Sequence, residues 1–120
     1  SYVGTLSVGE TAIITSGSYQ RYFIGPDGMK YHHIIDPSTG RPADNDLVSV
    51  TIVCPDGTLA DALSTAMFVL GENAALKYWR ENGGFEMIMI NKDNEIMCTT
   101  GLIEVFTLTN RTDYTLKMVE

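Results

Sequence analysis

Two hydrophobic periods run along this chain. Residues 11–15 (TAIIT) form a short β-favouring run that stops at Ser16-Gly17. Residues 19–24 (YQRYFI) alternate and carry aromatics, then meet Gly25-Pro26-Asp27-Gly28, a turn signature. Residues 29–35 resume the strand pattern, so the two runs predict a hairpin across GPDG. Residues 37–40 (PSTG) predict another turn. Residues 47–53 (LVSVTIV) are β-branched and alternating, and predict a strand.

The period then changes. Residues 59–70 (LADALSTAMFVL) are rich in Ala, Leu and Met, with no Gly or Pro inside, and their length predicts a helix. Thr58 is a candidate N-cap and Gly71 a candidate C′ residue. The helix is apolar nearly all round, which predicts burial on most sides. A second helix is predicted over residues 74–81, ending at Asn82-Gly83-Gly84. Residues 85–90 (FEMIMI) predict a strand, Lys92-Asp93-Asn94 a turn and residues 95–99 the returning strand. Residues 104–108 and 114–118 are weaker strand candidates. The order β-β-β-α-α-β-β predicts an α+β domain: a largely antiparallel sheet with one long buried helix and a second, shorter one.

Composition narrows the function classes. The 120 residues carry a net charge of −7. Binding driven by nucleic-acid phosphate needs clustered Lys and Arg, so no nucleic-acid partner is expected. A nucleotide held by backbone amides and a metal ion stays open. Cys54 and Cys98 form no CxxC pair, so no zinc or disulfide framework is read from them, and two small buried thiols are expected. No segment reaches the ~18 consecutive apolar residues of a membrane span, and no signal peptide is visible. The chain does not begin with methionine and is expected to be a piece of something longer.

Three places can carry chemistry. Asp61 and Thr65 are four apart in the predicted helix, on one face and one turn from each other. Asp61 has an ordinary reading, because it stands three residues after Thr58 as in a capping box and near the positive end of the helix dipole. It has a chemical reading too: a carboxylate and a hydroxyl one turn apart supply two oxygen ligands to Mg²⁺, with the rest from elsewhere. His32 and His33 point to opposite faces of a strand, so one of them can face a given pocket. A strand histidine is either a satisfied structural residue or a base that titrates near neutrality. Asp36 either orients a ring or ends the strand. Thr15-Ser16-Gly17 ends a strand in hydroxyls and a glycine, as a plain turn does and as a phosphate or flavin edge requires.

Taken together, TSGSYQRYF, YHHIIDPSTGRP, LVSVTIV and LADALSTAMFVLG, in this order, closely resemble the C-terminal half of the ApbE family. These are FAD:protein FMN transferases, formerly called thiamine biosynthesis lipoproteins. The resemblance is strong over residues 11–71 and continues weakly to the end. It implies a partial ApbE-like, T-fold-like domain over residues 1–120, and a flavoprotein-linked transferase that cleaves FAD at its pyrophosphate. FMN passes to a threonine hydroxyl of an acceptor protein, AMP is released, and Mg²⁺ is required. On this resemblance Asp61 and Thr65 are metal ligands, His33 is the catalytic base, Ile35 contacts FAD, and Thr15, Ser16 and Gly17 lie near the same site. His32 is then structural. Family members are often periplasmic or membrane-anchored lipoproteins.

Two readings stand beside this one. An FAD pyrophosphatase giving FMN and AMP would use the same residues, and a non-catalytic flavin-binding module would bind FAD and keep it intact. Ser18 stands where many members carry aspartate. The N-terminal half of the family, with further FAD contacts, a lysine-glycine segment and another oxygen ligand to the metal, has no counterpart in this sequence. The 120 residues alone are therefore expected not to transfer FMN. Incubating them with FAD, Mg²⁺ and an acceptor peptide should give no covalently flavinylated peptide by mass spectrometry.

Overall fold

The computed structural model describes residues 2–7, 9, 11–17, 21–23, 31–35, 47–108 and 113–120, with the side chains of all of these except 2, 3, 21–23 and 31–35. In chain order the elements are β1 (Tyr2–Ser7), β2 (Ala12–Gly17), β3 (Arg21–Phe23), β4 (Tyr31–Ile35), β5 (Leu47–Cys54), α1 (Gly57–Leu70), α2 (Glu72–Asn82), β6 (Glu86–Asn91), β7 (Glu95–Thr99), a 3₁₀ turn (Thr100–Leu102), β8 (Phe106–Leu108) and β9 (Thr115–Val119). They make a six-stranded sheet, ordered β3-β2-β5-β6-β7-β9, and a three-stranded sheet, ordered β4-β1-β8. Among these strands, β7 and β9 pair in parallel and the other pairs are antiparallel. The α+β expectation holds.

Three layers follow from which side chains cluster. β5 is buried at nearly every position, so both of its faces are covered. Val50, Ile52 and Cys54 pack with Ala60, Leu63 and Met67 of α1 and with Ala75 and Leu76 of α2. On the other face, Val53 joins Ile13, Ile88, Ile90 and Ile96 against Leu6, Phe106 and Leu108 of the smaller sheet. The helices and the three-stranded sheet thus sandwich the six-stranded one. In β1, Gly4 is required by a close approach: a Cβ there would meet the Phe106 ring at 2.5 Å and the Thr107 carbonyl at 2.7 Å. Cys54 and Cys98 are free and buried, as expected. Burial, then the nearby Glu86 carboxylate, pushes the Cys98 thiol up to about 12.

Three expectations are corrected. The hairpin across GPDG does not form, since β3 pairs with β2 in one sheet and β4 with β1 in the other. The turn residues themselves, 25–28, lie outside the described residues, as do Asp36, residues 37–40 and Ser18. The strand over residues 2–7 has no counterpart in the sequence reading. Helix α1 starts earlier than Thr58: Asp56 is the N-cap, accepting from the Thr58 and Leu59 amides at 2.9 and 3.2 Å. The helix is also not buried on most sides. Leu59, Val69 and Leu70 are 47%, 70% and 46% exposed, and Ala62 and Ala66 are exposed beside them. A helix lying on one sheet turns only one stripe towards it, whatever the composition of the rest.

The helices meet at one glycine. Gly71 ends α1, its amide donating to the Met67 carbonyl at 3.2 Å, and its φ of 87° is the region that favours glycine. α2 follows at once. It runs to Asn82, and its Trp79 Nε1 donates to the Phe85 carbonyl at 2.8 Å, which ties the helix to the start of β6. Across the β6–β7 turn the buried Asn91 accepts from the Asp93 and Glu95 amides at 2.9 and 3.0 Å and donates to Glu95 Oε1 at 2.9 Å. Lys117 of β9 pairs with the same carboxylate at 3.0 Å.

Two outcomes follow from this chemistry. Asp56→Ala should lower stability by about 1 kcal/mol, while Thr58→Ala should change it by less than about 0.5, in urea denaturation. The Asn91 hydrogen bond, then Lys117, holds the Glu95 carboxyl below its ordinary value of 4.5. A carboxylate held low contributes stability that is present above its unfolded value and is lost as pH falls through the folded one. Glu95→Gln should therefore destabilise at neutral pH and flatten the loss of melting temperature below about pH 4.5.

Candidate active site

Helix α1 is anchored over the six-stranded sheet by its small and hydroxyl-bearing residues. A Cβ on Gly57 would lie 3.8 Å from Cβ of Ala12, at the start of β2. Two turns on, Oγ of Ser64 lies 2.9 Å from Oγ of Ser16, near the end of β2. The helix therefore runs along β2, and one buried hydroxyl pair fixes its height on the strand. Ser64 is fully buried and Ser16 is 6% exposed. Leaving either hydroxyl unpaired there would cost about 1–3 kcal/mol, which favours a single arrangement.

The direction of these bonds can be assigned. Ser64 Oγ donates to the Asp61 carbonyl oxygen at 3.0 Å. A serine hydroxyl has one proton, so the proton between the two serines belongs to Ser16. The chain runs from Ser16 to Ser64 to the Asp61 carbonyl. It ends in the helical turn that carries Asp61 and Thr65.

That turn matches the expected spacing. Asp61 and Thr65 lie about 40° apart on the helix circumference, and Asp61 lies about 60° from Ser64. Asp61 is partly buried and Thr65 is exposed. With Asp56 as the cap, Asp61 is the fifth helical residue, so the capping-box reading of Asp61 falls away. A carboxylate and a hydroxyl one turn apart are hard oxygen donors of the kind Mg²⁺ prefers, so this turn fits such an ion as a partial shell. Among the described residues, no group of three or more His, Cys, Asp and Glu gathers to complete one.

The other expected site residues fall into place differently. Thr15, Ser16 and Gly17 belong to β2 and do not form a turn. Thr15 is buried on the face away from α1, with its hydroxyl 2.7 Å from that of Thr51 on β5. Adjacent strand residues must diverge in this way, so Thr15 and Ser16 do not share one pocket wall. His33 and Ile35 lie on β4, opposite Thr5 and Tyr2, and His32 lies opposite Leu6. β4 belongs to the three-stranded sheet, so the six-stranded sheet separates its layer from α1. The side chains of β4 lie outside the described residues. The described residues bring together Ser16, Ser64, Asp61 and Thr65.

Ser64 was not singled out from the sequence as a site residue. The available signal was its register: it stands four residues after Ala60 and three before Met67, a polar position in the buried stripe.

Comparison with known proteins agrees with this fold. The model of the ApbE family matches residues 1–89. An FAD:protein FMN transferase of Treponema pallidum (strain Nichols) is 43% identical over 99 residues, covering 82% of this chain and 27% of that protein. An FAD:protein FMN transferase of Klebsiella pneumoniae (strain 342) is 35% identical over 98 residues, covering 82% of this chain and 31% of that protein. The solved structure of the flavin transferase ApbE from Vibrio cholerae superposes with a TM-score of 0.53 at 28% identity, over 84% of this chain and 37% of that one. The chain belongs to the ApbE family. It spans 27% and 31% of the length of these two curated relatives.

Proposed function

We propose that this chain is the part of an FAD:protein FMN transferase that carries a Mg²⁺-binding turn and the catalytic base. The relatives' names support flavin transfer as the reaction class. The observation that carries the metal reading is the Asp61–Thr65 turn, which lies beyond the cap made by Asp56 and is tied through Ser64 to β2. With a net charge of −7 the protein offers little basic surface to an anionic dinucleotide, so a cation at that turn suits FAD.

In this reading the Asp61 carboxylate and the Thr65 hydroxyl hold Mg²⁺, which supplies charge neutralisation at the pyrophosphate. His33 accepts the hydroxyl proton of the acceptor threonine at a ring nitrogen. The threonine oxygen forms a bond to the FMN phosphorus, the bond to the AMP oxygen breaks, and AMP leaves with the electron pair. Ile35, two residues along β4 from His33, contacts the flavin nucleotide, and Ser16, with the end of β2 at Gly17, borders the site on the α1 side of the sheet, while Thr15 serves the opposite face. His33 and Asp61 lie on elements of different layers, so one FAD reaches both at an end of those layers.

The test is a paired assay of the full-length transferase that carries this segment, with FAD, Mg²⁺ and an acceptor protein, following covalent flavin and free AMP separately. Asp61→Ala should abolish metal-dependent FMN transfer while the protein stays folded. His33→Ala should slow it by about 10²–10⁴. Free FMN accumulating with AMP in place of labelled acceptor would identify hydrolysis, and FAD left intact by the unmodified protein would overturn the proposal.

A further inference from the structure

Resting on the cation reading of Asp61 and Thr65, we propose that Ser64 and Ser16 are positioning residues that set the height and rotation of the metal-binding turn. Ser64 stands between the two proposed ligands, Asp61 and Thr65, in the chain. It acts on the backbone between them, donating to the Asp61 carbonyl at 3.0 Å. In an α-helix that carbonyl also accepts the amide of the residue four later, here Thr65. The Asp61 carbonyl therefore takes two donors, and the Ser64 hydroxyl clamps the turn that carries both oxygen ligands.

The clamp is referenced to the sheet because Ser64 in turn accepts from Ser16 on β2, 2.9 Å away. Both serines are buried, so water does not compete for these bonds. The neighbouring pair Thr15–Thr51, at 2.7 Å, locks β2 to β5 on the opposite face. The turn is thereby held to two strands through a series of short hydroxyl contacts. A turn that supplies only two of a site's ligands depends on such support, since the remaining ligands come from outside it and must meet it in register.

The test uses Mn²⁺ as an electron paramagnetic resonance probe of the site in the folded protein, with melting followed in parallel. The double variant Ser16→Ala with Ser64→Ala removes both hydroxyls and leaves neither serine partner unpaired. It should keep a cooperative melt but bind Mn²⁺ about tenfold more weakly. Ser16→Ala alone keeps the Ser64 clamp but loses the tether to β2, and should weaken binding less than the double variant does. Asp61→Ala is the control for the underlying reading and should lose saturable Mn²⁺ binding. Wild-type affinity in the double variant, with binding lost in Asp61→Ala, would overturn the positioning role and leave the cation reading standing. Saturable binding that survives in Asp61→Ala would overturn the cation reading itself. A fall in affinity that only tracks a fall in folded protein would mark the serines as structural and also overturn the proposal.

Discussion

Burial of β5 on both faces is the constraint from which the rest of this structure follows. A strand covered on one side by helices and on the other by a second sheet has no wet face for its polar residues. Ser49 and Thr51 are each only 1% exposed. The Thr51 hydroxyl is satisfied by Thr15 across the strand pair. The same requirement on the helix side is met by Ser16 and Ser64. Hydrogen bonds of this kind add little net stability when made and cost more when broken. Their effect here is to select one height of α1 on β2, where apolar packing alone would tolerate several.

The candidate chemistry lies beside that selected contact. Ser64 faces the sheet, and Asp61 and Thr65 follow it round the flank towards solvent. A buried hydroxyl therefore stands next to a partly buried carboxylate and an exposed hydroxyl. Such a gradient suits a site for a hydrated cation and a charged dinucleotide, because the support stays dry while the ligands stay accessible. The layer arrangement puts β4, with His33, on the far side of the six-stranded sheet from α1. A site that uses both must sit at an end of the layers, where helix and smaller sheet can both be reached.

Much of this was legible in the sequence, and the exceptions have definite causes. The Ala-rich run, the LVSVTIV strand and the pair FEMIMI and EIMCT, the first displaced by one residue from β6, read correctly because each has one period over its length. The Asp61–Thr65 spacing needs only helix geometry, so it too was legible. The cap was misassigned because Asp56 and Thr58 are both competent capping residues two apart, and the apolar pattern begins only at Leu59. The hairpin was misassigned because a turn signature shows where a chain reverses and not which strand it then pairs with. The exposed apolar residues of α1 were read as buried because composition does not say how many elements lie against a helix.

The sequence by itself determined the family, the element types and the turn that places a carboxylate beside a hydroxyl, because these depend on local periods and on short ordered motifs. Only the tertiary structure decided that Thr15 and Ser16 face opposite layers, that Ser64 braces the Asp61 turn, and that β3 and β4 part into different sheets. Those facts are contacts between residues up to 48 positions apart, as for Ser16 and Ser64. They are set by which surfaces must be covered and which buried hydroxyls must be paired once the layers close, and no local pattern encodes that.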